Sequence, residues 1–360
     1  MSQPDPTPAA ATTVESPAAA SKGGVARVVM IAIGVGIMVA PGVVIALAWT
    51  PEAASPLILG ALVGATSAMS AGQRWALLEV FLLLLAAPVA IVAGQVPTAG
   101  AAFMALLCLG AGLTAQWGMH GSFTMIPLVL AYPMIHPPAL GELAIDRNAS
   151  AYVLTLSLLM FTGALWMAVV VPLLARHRSL PALQPASRQD TLTYTVIITV
   201  LCSVNTFGVL TLNPSSQGAW LILTLIAVTQ LGPMKSVRKT VYRVIGTVFG
   251  TAIAAGVAAA VPSGGLQLLV AMVCLVVALY FRTAHYWVYV TFLTPTVVLL
   301  SASGDVTATG ESRVLYTVIA ASQVVLASAI VFAYQHRRSQ GESSSKPIRQ
   351  EPIVDPAVTE

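Results

Sequence analysis

Apolar residues run along this chain in stretches long enough to cross a bilayer, broken by short polar loops. Twelve stretches can be traced. Six lie near 25–49, 54–71, 75–94, 98–119, 122–136 and 149–175. Six more lie near 192–212, 216–232, 239–261, 265–281, 285–302 and 313–334. A helix needs about 20 mainly apolar residues to span the hydrocarbon core. The pattern therefore predicts an all-α, polytopic membrane protein with about twelve transmembrane helices. The flanks are polar, and the domain plan follows. Residues 1–24 are read as a disordered cytoplasmic tail, 25–175 as a first six-helix repeat and 176–191 as a cytoplasmic linker. A second six-helix repeat fills 192–334, and 335–360 form another disordered cytoplasmic tail.

Charge fixes the expected orientation. With both termini in the cytoplasm, all 17 Lys and Arg residues except Arg147 and Arg313 fall on the cytoplasmic side. Glu52, Glu142, Asp146, Asp305 and Glu311 lie on the other. That is the positive-inside bias of a multi-pass protein. Two sets of six helices share one orientation, so the halves are expected to be parallel repeats about an axis along the membrane normal.

Composition sharpens this only a little. The chain of 360 residues is 57% hydrophobic and 8% charged, with a mean hydropathy of +0.85. Soluble domains carry about 25% charged residues, so a water-facing globule is excluded. The pI near 9.1 comes from loop residues and is no sign of nucleic acid. Cys108, Cys202 and Cys274 lie within apolar runs without paired spacing and read as buried hydrophobes. No Walker lysine, H-E-x-x-H or G-x-S-x-G is present, so the expectation is a non-enzyme without metal or cofactor.

A few residues break the apolar pattern and carry the candidate chemistry. Arg243 lies inside the ninth run, where a charge near mid-bilayer costs roughly 2.5–3.5 kcal/mol on insertion scales. Gly246, Thr247 and Gly250 share its helix face, and the two glycines make a G-x-x-x-G packing seam. Arg74 and Arg238, just before the third helix of each half, give the repeats a common origin. In that register His120 and His285 fall at nearly equivalent positions, as do Pro133 and Pro295. Glu79, the one acid deep in an apolar run, falls opposite Arg243. A central Glu79–Arg243 ion pair is therefore expected, either as a gate or as a structural pair. Such a pair predicts that reversing both charges restores what reversing one impairs. Pro133 and Pro295 interrupt the fifth helices, with Thr294 beside the second break, and broken helices at matching positions point to a transport path. His285 and His120 are candidate proton relays near the cytoplasmic turns. Gln116, Asn205, Gln230 and Gln323 lie within or at the ends of spans, where they either bond between helices or line a solvent path.

The second half resembles the fusaric acid resistance protein-like family, which includes aromatic acid exporters. The likeness rests on Trp220 through Gln230, the basic loop Lys235–Lys239, and Arg243-Val-Ile-Gly246-Thr247-Val-Phe-Gly250. Phe292-Leu-Thr-Pro295 and Arg313-Val-Leu-Tyr316 extend it. It implies a proton-driven inner-membrane efflux protein for small organic or aromatic acids, working in many members with a periplasmic adaptor. The first half departs from the motif, with Leu82, Leu83 and Ala86 at the positions of Gly246, Thr247 and Gly250. The soluble domains of larger relatives are reduced here to a linker and a tail. The expected partners are thus the bilayer, a small organic anion, an adaptor and a second copy of the chain. A passive anion channel and a non-transporting scaffold are the competing functional classes.

Overall fold

The computed structural model describes residues 17–141, 149–175, 180, 182–212, 216–261, 264–282, 285–301 and 306–344. The described residues form helices and no strand. The first half holds α1 (Pro17–Ala48), α2 (Ala54–Ser70), α3 (Gln73–Ala93), α4 (Pro97–Leu113), α5 (His120–Phe123), α6 (Met125–Ile135) and α7 (Ser150–Leu174). The second holds α8 (Arg188–Leu212), α9 (Ser216–Val228), α10 (Pro233–Ala260), α11 (Gly264–Phe281), α12 (Tyr286–Ser301) and α13 (Val306–Ser344). Eight helices are long and apolar enough to cross a membrane. Their outer faces are leucine- and valine-rich, with Leu212 84% exposed, as a lipid-facing surface requires.

Four expected spans are shorter apolar helices: His120–Ile135, Gly218–Val228, Leu269–Phe281 and Tyr286–Leu299. The run near 122–136 is two helices joined at Thr124, following a left-handed turn at Gly118. The run near 216–232 stops being helical at Val228. There Gln230 N–H donates to Ser236 Oγ and Ser236 donates back to Gln230 O, which caps an unwound stretch. At the ends helix reaches further than the hydropathy did. α1 starts at Pro17, inside the expected N-terminal tail, where alanines favour helix. α13 runs on to Ser344, past the expected boundary at 334. Residues 1–16 and 345–360 of the tails, residues 176–179 and 181 of the linker, and Glu142, Asp146, Arg147 and Asp305 lie outside the described residues.

Both third helices begin in the same way. Gly72 caps α3 with φ 91°, and Gly232 caps α10 with φ 95°. Only glycine enters that region without strain, so each cap fixes where its helix starts.

Small residues then bring the helices together. A Cβ on Gly60 would meet Met160 O at 1.9 Å, and one on Gly64 would meet Ala164 O at 2.0 Å. From the other side, a Cβ on Gly163 would meet Leu57 O at 1.9 Å. The α2 and α7 backbones are therefore in contact and run parallel. Gly112 abuts Thr195 and Gly100 abuts Leu210, which sets α4 antiparallel to α8 across the boundary between halves. Cys108 of α4 and Cys202 of α8 are both buried free thiols. Asn205 of α8 and Gln323 of α13 exchange amide hydrogen bonds at 2.6 and 3.0 Å, one of the two roles open to them in the sequence, whereas the Gln230 side-chain amide donates to its neighbour Thr229 O.

The α2–α7 seam yields a direct test. Gly64→Leu forces the backbones apart and costs at least the about 1–3 kcal/mol typical of overpacking. Gly110→Ala, with nothing within 4 Å of its Cβ position, serves as control. Thermal unfolding in detergent should show a large loss for the first and no loss for the second.

Candidate functional site

The α10 helix carries the basic stretch and lies against α12 and α13. Its glycines set the first contact. A Cβ on Gly246 would meet Trp287 O at 2.8 Å and Val290 Cβ at 2.7 Å. One on Gly250 would meet Thr291 O at 2.6 Å and Pro295 Cδ at 3.0 Å. Later residues of α10 thus face later residues of α12, and the two helices are parallel. Pro295 has no N–H, so the carbonyl it frees is that of Thr291. That oxygen is the one facing Gly250. Thr294, buried, turns its hydroxyl onto Val290 O at 2.9 Å and lines the same break. In the first half the counterpart break at Pro133, buried in α6, is approached by Gly94, whose Cβ would meet Met134 O at 2.0 Å.

This packing lifts the first turn of α12 to the level of Arg243. Lys239 Nζ lies 5.2 Å from the centroid of the Tyr286 ring. Tyr289 stands within electrostatic reach of both Arg243 and Arg282, and its ring lies 5.9 Å from that of Tyr286. The charges of Arg243 and Arg282 also act on Lys239. Three cations therefore converge on two tyrosines at the N-terminal end of α12, where the helix dipole is itself positive. No Asp or Glu forms an ion pair with Lys239, Arg243 or Arg282 among the described residues, and Arg243 Nε is enclosed without a hydrogen-bond partner. Lys239 and Arg243 are i,i+4 neighbours, and like charges roughly 6 Å apart repel by about 3 kcal/mol at an effective dielectric of 20.

Glu79 does not complete it, and the expected Glu79–Arg243 ion pair is corrected here. α3 packs against α2, α6 and α7, whereas α10 packs against α12 and α13. Glu79 is fully buried and accepts a hydrogen bond from Ser122 Oγ of α5. Its second oxygen has no partner, and Ser67 Oγ of α2 lies alongside outside hydrogen-bond geometry. The register is the cause. Counted from the cap glycines Gly72 and Gly232, the residue matching Glu79 is Lys239, and Arg243 stands one turn further on.

The two histidines part company. His120 of α5 is half-buried, makes an edge contact to the Tyr194 ring of α8 at 5.5 Å, and feels the charge of Lys239. Its Nδ1 is enclosed without a partner. It stands two residues from Ser122, so the four-residue helix α5 links the Glu79 side of the molecule to the Lys239 side. His285 is exposed, and its ring meets that of Phe281 edge-on at 6.5 Å.

Sequence reasoning missed two members. Lys239 was read as a loop cation, but it lies on the second turn of α10. Arg313, expected at the outer edge where the last apolar run opens, is 7% exposed and two turns into α13, with its guanidinium carbon 3.8 Å from the centroid of the Trp220 ring. The separation of Glu79 from Arg243 is testable by double-mutant cycles on stability in detergent. Glu79→Gln and Arg243→Gln should be additive within about 0.5 kcal/mol, as for distant sites. Glu79→Gln and Ser122→Ala should be clearly non-additive.

No curated protein and no solved structure matches the chain significantly. A family model does. Residues 198–327, which hold Lys239, Arg243, Arg282, Tyr286, Tyr289, Arg313 and Trp220, match the model described as fusaric acid resistance protein-like. The match supports the family resemblance read from Arg243–Gly250 over that part of the chain, and with the apolar helices it points to a multi-pass membrane protein related to transport.

Proposed function

We propose that this protein is an inner-membrane secondary transporter that exports small organic acids, aromatic ones included, in exchange for protons. The observation that carries the reading is the cluster at the foot of α12. Lys239, Arg243 and Arg282 meet Tyr286 and Tyr289, and among the described residues no carboxylate pairs with them. A substrate carboxylate supplies the missing charge. Hydrogen bonds to charged groups are worth about 1.5–3 kcal/mol each, so a carboxylate is held in preference to a neutral analogue. The tyrosine rings offer an apolar flank to an aromatic acid.

The architecture proposed is twelve spans in two parallel repeats with both termini cytoplasmic. Recurrent packing supports it. α2 and α3 pack on α7, and α9 and α10 pack on α13. α3 lies on α6, and α10 on α12. Between halves α4 meets α8 and α1 meets α11, which are reciprocal pairs under a two-fold. Proton exchange falls to Glu79, a carboxyl enclosed in the first half with Ser122 as its one hydrogen-bond donor. The short helix α5 carries both Ser122 and His120, and His120 feels Lys239. A change at the acid is in this way passed to the edge of the anion site.

Flux of labelled benzoate in proteoliposomes tests the reading. Wild-type flux should follow an imposed proton gradient and collapse with a protonophore. Arg243→Gln and Lys239→Gln should each raise KM about 10-fold, the equivalent of about 1.4 kcal/mol. Glu79→Gln should leave benzoate exchange but remove its dependence on the gradient. Flux indifferent to the protonophore would favour a passive anion channel, and no flux for any organic acid would favour a scaffold.

A further inference from the structure

The transport reading uses α10 and α12 and leaves the opening between α8 and α13 without a task. Asn205 of α8 bonds Gln323 of α13, and Arg188 of α8 shares a groove with Gln335 of α13. Moving back along α8 is thus moving forward along α13, so the two helices are antiparallel. The groove holds about 780 Å³ of open space. Ligand sites usually offer roughly 300–1,000 Å³.

Polarity is graded along this groove. On α8, Arg188 and Leu192 stand four residues apart on one face, with Gln189 beside the arginine. On α13, Ile330 and Tyr334 stand four apart on one face, and the exposed Arg337 follows three residues later. Because the helices are antiparallel, both arginines fall at one end, and Leu192 and Ile330 lie deeper. Leu192 is 49% exposed and Ile330 62% exposed, so both are open to whatever fills the groove. Asp190, the acid nearest in sequence to Arg188, is turned elsewhere. It accepts a hydrogen bond from Ser187 Oγ at 2.8 Å and faces a small space that α8 and α13 share with the start of α10. Among the described residues no carboxylate lines the groove.

Two cations at the mouth and branched apolar side chains below are the complement of an amphiphile with an anionic head. We infer that this groove binds one anionic phospholipid, its phosphate on Arg188 and Arg337 and an acyl chain along Leu192 and Ile330. A guanidinium fork takes two phosphate oxygens at once, and basic recesses between membrane helices select acidic headgroups in this way. Tyr334 lies between Ile330 and Arg337, at the height where an amphipathic ring meets the headgroup layer. The site is independent of the cluster on α10 and α12, and it holds or fails whatever the chain transports.

The test takes the full chain in detergent and counts bound lipid by native mass spectrometry. Phosphatidylglycerol and phosphatidylcholine with identical acyl chains are the probes. Wild type should retain phosphatidylglycerol about 5-fold better. Replacing both arginines, Arg188→Gln with Arg337→Gln, should bring the two lipids within about 2-fold of each other. Arg74→Gln, at an exposed arginine on α3, should leave the preference intact. Ile330→Trp narrows the groove and should lower phosphatidylglycerol retention several-fold. Inorganic phosphate in excess should not displace the lipid, because the chain contacts hold it. All these side chains are exposed, so the variants keep the fold. Equal retention of both lipids by wild type, a preference that survives loss of both arginines, or an equal loss in Arg74→Gln overturns the site. So does unchanged retention in Ile330→Trp, or displacement by phosphate.

Discussion

A helix in lipid gains little by burying leucine against leucine, because the acyl chains it leaves are equally apolar. What holds such helices is close approach of backbones, and here that approach is forced at a few glycines. Gly60, Gly64 and Gly163 seat α2 on α7 with carbonyls where a Cβ would stand. Gly246 and Gly250 do the same between α10 and α12, opposite the carbonyl that Pro295 frees. Everything charged takes its position from these seams. Because α10 comes so near α12, the α12 N-terminal turn and its tyrosines arrive at the height of Arg243. Because Gly310 admits Thr251, Arg313 comes to the same depth.

The seams also divide the charges unequally. The first half encloses one acid with a serine donor, and the second half gathers cations with aromatic partners. Neither set neutralises the other by contact. An internal ion pair would spare the cost of desolvation, but it would also compete with any bound anion. Keeping Glu79 away from Arg243 leaves the cationic site open, at the expense of like-charge repulsion that an incoming carboxylate relieves. Communication between the halves then falls to α5, which holds Ser122 against Glu79 and His120 near Lys239.

The apolar runs, the buried cysteines and the glycine face of α10 were all legible in the chain, because each depends on local period or on what lipid excludes. The register between halves was not. Arg74 and Arg238 seemed a natural origin, but an arginine at a membrane edge can reach the interface from several positions. The cap glycines cannot shift, since a positive φ is demanded at one residue only. They name Lys239 as the partner of Glu79 in the repeat. Arg313 escaped for a related reason. The last apolar run opens at Arg313, yet helix begins at Val306, and the polar residues before Arg313 look like loop until Gly310 is seen against α10.

Those corrections bear on how an anion could move at all. A single deep cationic well binds a carboxylate and keeps it; passage needs sites strong enough to fill and weak enough to empty. In the transport reading, Lys239 and Arg243, one helical turn apart, meet that need, because the repulsion that a bound carboxylate relieves between them returns when it leaves. An aromatic partner suits this better than an acid. Tyr286 beside Lys239 fixes that cation in place without cancelling its charge. A glutamate at that position would hold the cation equally well and would shut the path.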